Sequence, residues 1–380
     1  MISAQNFIDE ATRQGFDFYT GVPCSYLTPL INGVISRDGL QYVGGTSEGE
    51  TVGIAAGAWL AGRHCVVMCQ NSGLGNSVNP LTSLNAPFGI PVLLIVTWRG
   101  QPGRPDEPQH QLMGQITHKM LSLMEIDHAP LPDKPEHLAE ALTEARSAMD
   151  ATRQPFAFVM AEGAIESEPL YIKPRAPRNG GPTDNRRGSG ALPSRVQILE
   201  CFLALVDPAC AVIATTGKTG RELFMLADRP QQLYLVGSMG CASGVGLGVA
   251  LNSKRRVVVL DGDGAALMKL GTFATIGAYA PQNLVHILLD NGVHDSTGGQ
   301  PTVSASVRFE SIAQACGYAR AASCNSLEAF EELFLAYCAL PGPCLIHVSI
   351  LPGSLARLIR PTVKPFDVAL RFKAFLAQQE

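Results

Sequence analysis

The sequence predicts an α/β protein built from two doubly wound parallel-sheet domains joined by a linker, on three observations. Short apolar runs rich in β-branched residues alternate with longer helical patterns along almost the whole chain, the mark of strand–helix–strand units. Most of these runs end in glycine, serine, threonine or a charged residue, as the ligand-binding carboxyl edge of a parallel sheet should. The alternation stops once, over residues 171–195, where proline, glycine and arginine dominate and no period survives.

Taken in order, "FDFYTGVP", "LQYVGGTSEG", "CVVMCQNSG", "PVLLIVTWRG" and "FAFVMAEG" are the strands expected of a first domain, residues 1–170. The stretch "YIKPRAPRNGGPTDNRRGSGALPSR" predicts an exposed linker, residues 171–195. Its arginines have no aromatic residues between them, which favours a solvated segment over a nucleic-acid patch. The alternation restarts with "AVIATTGKTG", "QLYLVGSMG", "RRVVVLDGDG", "NLVHILLDNGVHDSTGG" and "PCLIHVSI", the strands of a second domain, residues 196–380.

Composition narrows the class. A chain of 380 residues, 46% hydrophobic, can bury two cores. A net charge of −4 and a pI near 6.1 give no reason to expect a general nucleic-acid or membrane binder. The start "MISAQNFIDEATRQGF" lacks the basic and apolar regions of a signal peptide, and no apolar run is long enough to span a bilayer. Ten cysteines lie scattered, mostly inside apolar runs and without CxxC spacing. They read as buried thiols of a cytoplasmic protein.

The segment "LDGDGAALMKL", 260–270, poses the chemical question. A strand of β-branched residues ends on glycines that let a ligand approach the backbone, and "AALMKLGTFATIGAYA" continues as a helix. Strand, glycine turn and helix N-terminus make an anion site, because unsatisfied N–H groups point outward there. Carboxylates beside an anion imply a hard divalent cation between them. From Gly264 to Asn291 there are 26 intervening residues (291 − 264 − 1), enough for one helix and one strand. Asn291 therefore returns beside Asp263 as a second oxygen donor.

This "GDG…N" arrangement resembles the cofactor motif of thiamine diphosphate-dependent decarboxylases, and the resemblance extends over nearly the whole chain. It implies the thiamine diphosphate-binding fold, with a pyrimidine-binding domain first and a diphosphate-binding domain second. It also implies that Asp263 and Asn291 ligate Mg²⁺ with the carbonyl of Val293. Gly264, Ala265, Thr216 and Gly217 would hold the diphosphate. "GSMGCASGVGLGVAL" is similar to the segment that clasps the aminopyrimidine, where Gly237 would accept from its amino group and Met239 would wedge the cofactor into a bent shape. "GGTSEGETVGIAAGAWLAG" is similar to the segment carrying the activating glutamate, and its spacing favours Glu48. Glu50 is then a first-turn helix acid favoured by the dipole. Sites in this family are shared between chains, which implies a homodimer or a higher homo-oligomer.

The usual third domain of such decarboxylases is absent, and "QNSGLGNSVNPLTSL", "WRGQPGRPDEPQHQLMG" and "DNGVHDSTGGQPTV" are similar to the branch acting on small 2-oxo acids with an anionic tail. The implied reaction is decarboxylation of 3-phosphonopyruvate by carbanion and enamine chemistry, in phosphonate biosynthesis, with sulfopyruvate as the alternative substrate. Such a substrate needs cationic and N–H partners. Candidates at expected strand ends are Ser25, Asn71, Arg99, Asp106, His110 and His294, with His110 as proton donor or phosphonate contact. Arg104, Lys218 and Arg221 add positive charge near the same edge, and Asp295 stands beside the metal turn. A non-catalytic subunit of the same fold is disfavoured by the presence of both Glu48 and the Asp263/Asn291 pair. A nicotinamide-binding enzyme is disfavoured because "GVGLGVA" falls inside a helical pattern.

One pair of variants tests the glutamate register. Glu48→Gln should bind thiamine diphosphate yet lose turnover by roughly a hundredfold or more, the scale of a lost proton-transfer group. Glu50→Gln with that phenotype, beside a near-normal Glu48→Gln, would show the register to be wrong by two residues.

Overall fold

The computed structural model describes residues 1–171 and 178–378, and the chain divides into two units, Met1–Arg175 and Ala176–Glu380. The strands of the first unit are β1 (Phe16–Gly21), β2 (Gln41–Gly44), β3 (His64–Gln70), β4 (Leu93–Thr97), β5 (Asp127–Pro130) and β6 (Phe156–Met160). They form one parallel sheet in the order β2-β1-β3-β4-β6-β5. β4 reads "LLIVT" and is buried throughout, as a strand covered on both faces must be. The first helix, Ala4–Arg13, places Ala4, Phe7, Ile8 and Ala11 on one buried stripe. Its N-cap Ser3 accepts the Asn6 N–H at 3.1 Å. Winding reverses between β1 and β3, so the loops that follow them flank the crevice where ligands bind in such sheets.

The second unit has β7 (Thr183–Arg186), β8 (Ala211–Ala214), β9 (Gln232–Tyr234), β10 (Val257–Gly262), β11 (Leu284–Asp290), β14 (Arg320–Cys324) and β15 (Cys344–Ser349). Their order is β7-β14-β15-β11-β10-β8-β9, all parallel. A separate antiparallel hairpin joins β12 (Val293–His294) to β13 (Gln300–Pro301). Here winding reverses between β8 and β10. Helix Ala242–Asn252 packs on β10 at close range: a Cβ on Gly246 would lie 2.2 Å from a methyl of Val259. The "GVGLGVA" glycines thus serve helix–sheet contact.

Three expectations meet differences. The stretch expected as an exposed linker begins with residues 172–177, which lie outside the described residues. Beyond them it contains β7, the edge strand of the second sheet. The glycines there do not loosen the chain; they permit contact. A Cβ on Gly180 or Gly181 would fall 1.9 Å from the Gln314 carbonyl oxygen or 1.7 Å from that of Ala319. The arginines are engaged as well, Arg186 with Asp184 and Glu332, and Arg187 with His347. Second, the helix expected to run on from Ala265 breaks. Asp263–Met268 ends at Lys269, which leaves helical geometry (φ −133°, ψ 50°), and Gly271–Tyr279 begins anew. The second piece buries Phe273 against His286, Phe309 and Tyr318, a tertiary demand that overrides helix propagation. Third, Asp261, expected with Asp263 on the turn, lies within β10 and is fully buried, 3.3 Å from His286 Nε2. No disulfide joins any of the ten cysteines, seven of which are buried. Among the described residues no helix is long and apolar enough to cross a membrane.

Candidate functional site

In the second unit the turns after β8, β10 and β11 line one cavity of about 210 Å³, directly over the winding reversal. Thr216, Gly217, Met239, Asp263, Gly264, Ala265, Asn291, Val293 and His294 all face it, as does Lys218. Gly237 is not among the lining residues; it precedes Ser238, which takes a positive φ of 54°. The turn after β8 needs its glycine, since Gly217 sits at φ 98° immediately before helix Lys218–Leu226. Gly264 is equally constrained: a Cβ there would lie 2.7 Å from the His294 ring and 3.1 Å from the Met239 methyl.

Asp263 is 3% exposed and accepts from the Thr302 hydroxyl at 2.5 Å. Burial pushes its carboxyl above the ordinary value, against the opposing hydrogen bond from Thr302 and with the charge of Asp290 adding to the rise. Thr215, beside Thr216, carries a buried hydroxyl with no hydrogen-bond partner. Asn291 is held at both ends, its Nδ2 donating to Asp295 at 2.7 Å and its Oδ1 accepting from the Val293 N–H at 3.2 Å. Asp295 in turn pairs with buried Arg195 at 2.5 Å. The cavity thus offers an unpaired hydroxyl, glycine turns with room only for backbone, and hard oxygen donors. These suit a phosphate group and a divalent cation.

The first unit places Ser25, Glu48, Asn71, Arg99 and Asp106 in the turns and helix starts that follow β1, β2, β3 and β4. The two glutamates are placed differently. Glu50 is 1% exposed and accepts from the Thr46 N–H at 2.7 Å and the Thr46 hydroxyl at 2.5 Å. That reach back over the helix start is a capping interaction. Glu48 is half-buried and accepts from Asn76 Nδ2 at 2.8 Å. It lies so close to Gly73 that a Cβ there would be 2.5 Å from its side chain. Asn71 is fully buried; its amide nitrogen donates to the Arg99 carbonyl and to Thr117, and its oxygen has no partner.

Arg99 donates to Asp106 through Nε, at 2.8 Å, and Nη2, stacks 4.6 Å from the Tyr26 ring centre, and sends Nη1 to the Ser25 hydroxyl at 3.1 Å. Those hydrogen bonds hold the Asp106 carboxyl well below the usual range. Asp106 also accepts the N–H groups of Gly100 and Glu107, so its oxygens are committed to the loop. His110 closes that loop, 8% exposed, with a buried Nδ1 that lacks a partner. Other expected cations are engaged elsewhere. Arg104 donates to the Glu162 carbonyl. Arg221 donates to the carbonyls of Leu358 and Ile359 and lines a different cavity. The sequence reading missed Thr215, Arg195 and Thr302. Thr215 adjoins a recognised motif, while the other two come from remote segments with no local signal.

Two family models match the chain, one in each unit. Residues 1–121 match the N-terminal, and residues 216–348 the C-terminal, thiamine pyrophosphate-binding domain of thiamine pyrophosphate enzymes. The chain is 49% identical over 380 residues to a phosphonopyruvate decarboxylase of Streptomyces hygroscopicus, covering all of this chain and 95% of that protein. It is 29% identical over 392 residues to a sulfopyruvate decarboxylase of Methanosarcina acetivorans, covering 98% and 97% of the two chains. A thiamine diphosphate-dependent 4-hydroxybenzoylformate decarboxylase of Rhodococcus jostii shares the fold at 14% identity, with a TM-score of 0.73 over 93% of this chain and all of that one.

The Arg99–Asp106 pair makes a pH-dependent prediction. A depressed carboxyl contributes stability that is fully present above the unfolded aspartate pKa of about 4 and fades as pH falls toward the depressed value. Asp106→Asn should therefore lower the thermal unfolding midpoint at pH 7, and the gap from wild type should narrow between pH 5 and pH 3. A gap independent of pH would show that the charge of Asp106 is not what holds the loop.

Proposed function

The chain belongs to the phosphonopyruvate decarboxylase family of thiamine pyrophosphate enzymes, and from that premise we propose how its own residues carry the reaction. The protein converts 3-phosphonopyruvate to phosphonoacetaldehyde and carbon dioxide, with Mg²⁺ accompanying thiamine diphosphate. The observation that carries the reading is the cavity over the β8/β10 reversal, with its unpaired Thr215 hydroxyl, its crowded Gly264 and its desolvated Asp263. The hydroxyl and the carboxylate are groups that a bound diphosphate and cation would satisfy, and the glycine leaves only backbone beside them.

Asp263, Asn291 and the Val293 carbonyl would hold the metal. Backbone N–H groups at Gly264 and Ala265, with Thr216 and Gly217, would hold the diphosphate. Gly237 and Met239 would orient the pyrimidine and thiazolium rings. When bound, thiamine diphosphate supplies a nucleophilic carbon and a sink for the electron pair released with carbon dioxide. Glu48 is the residue that holds a proton for the cofactor's pyrimidine, while Glu50 spends one carboxylate oxygen on capping the helix start. Ser25, Arg99, Asn71 and His294 are proposed to bind the anionic substrate. His110, buried with one nitrogen unpaired, is proposed to deliver a proton or to contact the phosphonate.

The active form is proposed to be a homo-oligomer whose sites draw on two chains. Inactive Glu48→Gln and Asp263→Ala proteins, mixed so that subunits exchange, should then regain part of the wild-type activity through heterodimers with one intact site. Proven exchange without recovery would argue for a site within one chain.

Substrate choice follows from charge. A phosphonate carries up to two negative charges at neutral pH and a sulfonate one, while their shapes are alike, so donors and not pocket size must discriminate. We expect kcat/KM for phosphonopyruvate to exceed that for sulfopyruvate by at least roughly tenfold, about 1.4 kcal/mol. Pyruvate, without the anionic tail, should be a very poor substrate. Steady-state kinetics on the three acids with thiamine diphosphate and Mg²⁺ decide it. Equal or faster turnover of sulfopyruvate would reverse the choice of acid.

A further inference from the structure

Which atom of Asn291 faces the cavity is decided by its neighbours. Asp295 accepts from Asn291 Nδ2 at 2.7 Å. An ionised carboxylate has no proton to give, so the amide must turn its NH₂ toward Asp295. The Oδ1 is thereby turned the other way, where it accepts the Val293 N–H at 3.2 Å and keeps a second lone pair. Asp295 is itself fixed: Arg195 Nη2 donates to it at 2.5 Å and the Gly353 N–H lies 3.2 Å from both of its oxygens. Arg195 is 6% exposed at its side chain and also donates to fully buried Glu222 at 3.3 Å and to the Gly353 carbonyl at 3.1 Å.

We propose that Asp295, held by Arg195, is a positioning residue for the metal: it selects the amide oxygen of Asn291 as the atom offered to the cation. The proposal rests on the reading of Asn291 as a magnesium ligand. A hard cation takes oxygen and rejects the amide NH₂, so a group that forbids the flipped amide raises metal affinity without touching the metal. Arg195 does not need Asp295 for its own neutralisation, because Glu222 already pairs with it. A donor–acceptor swap separates this role from plain packing. Asp295→Asn can face Asn291 with either end, which leaves the Val293 N–H as the weaker remaining selector. Asn291→Asp sets two carboxylates against each other at the same contact. Asn291→Asp with Asp295→Asn restores one donor and one acceptor, with an oxygen again facing the cavity.

The readout is calorimetric titration of thiamine diphosphate into the metal-stripped full-length protein at a series of fixed Mg²⁺ concentrations, giving the Mg²⁺ level for half-maximal binding. Asp295→Asn should raise that level by roughly tenfold or more, the scale of lost outer support for a metal ligand. Asn291→Asp should raise it at least as far, and the double variant should return to within about threefold of wild type, a strong departure from additivity. If Asn291→Asp does not fold, Asp295→Glu takes its place: an acceptor-only group should keep the Mg²⁺ level closer to wild type than Asp295→Asn does. Asp263→Ala serves as the control. If Asp263→Ala abolishes Mg²⁺-dependent binding while Asp295→Asn matches wild type, or the defects of the two swap variants simply add, the positioning role is overturned and the metal reading stands. If Asp263→Ala also binds with the wild-type Mg²⁺ requirement, the metal reading itself fails.

Discussion

A carboxylate kept almost out of water must be met by donors or by a cation, and Asp263 imposes that requirement on the whole carboxyl edge of the second sheet. The Thr302 hydroxyl meets it, and that oxygen accepts the Ser304 N–H at 3.3 Å. Ser304 donates to Asp290 at 2.8 Å, and Asp290 lies 2.9 Å from His347 Nε2. The chain of contacts binds the loop after the β12–β13 hairpin to the ends of β11 and β15. Arg195 and Asp295 tie the same hairpin from its other side. The turn bearing Asn291 is thus held between two networks, and neither uses the Asn291 oxygen. A rigid frame around an oxygen with a spare lone pair is what a metal site requires of its surroundings.

The first unit solves a different problem, that of holding a long loop without a strand. Gly100 and Gly114 let backbone touch backbone: a Cβ on Gly100 would lie 2.0 Å from the His110 carbonyl oxygen, and one on Gly114 would lie 1.6 Å from that of Gly100. With the backbone clamped, Asp106 gathers two N–H groups and the Arg99 guanidinium, and His110 is carried to a buried position. The glycines therefore do their work through contact, not flexibility, as at Gly180 and Gly181 in the second unit.

This explains what could and could not be read along the chain. Strands were legible because β-branched runs ending in small residues are local patterns, and the return of Asn291 to the cavity that Asp263 lines was legible from the length between them, although two helices and not one precede the strand. The spacing favours Glu48 over Glu50 as the activating acid, and the bonds that Glu50 accepts from Thr46 had no signal in that spacing. β7 was hidden because "TDNR" is short, polar and preceded by glycine and proline, and it is held as an edge strand by partners far along the chain, such as Glu332 and Ser323. The break at Lys269 was hidden because the aromatic cluster that claims Phe273 is assembled from Phe309 and Tyr318, some forty residues on. Arg195 stood at the end of the presumed linker, and its partners Glu222 and Asp295 lie 27 and 100 residues away. Pairing across such separations leaves no periodic trace.

The same argument changes how charge bears on specificity. Counting Arg99, Arg104, His110, Lys218 and Arg221 as five donors for an anionic tail treats every cation near an edge as available. Arg221 spends two nitrogens on carbonyls of the segment that follows β15, and Arg104 binds the Glu162 carbonyl. Arg99 keeps one nitrogen beyond Asp106, and it points at Ser25. In the first unit, what keeps free capacity is Arg99 Nη1 beside the Ser25 hydroxyl and the unpaired nitrogen of His110. Discrimination between a dianion and a monoanion depends on donors left over after folding, and folding has already claimed most of the charge that the sequence displays. A pre-paired arginine also loses less freedom on binding than a solvated one. Arg99, held by Asp106 and stacked on Tyr26, is such a donor.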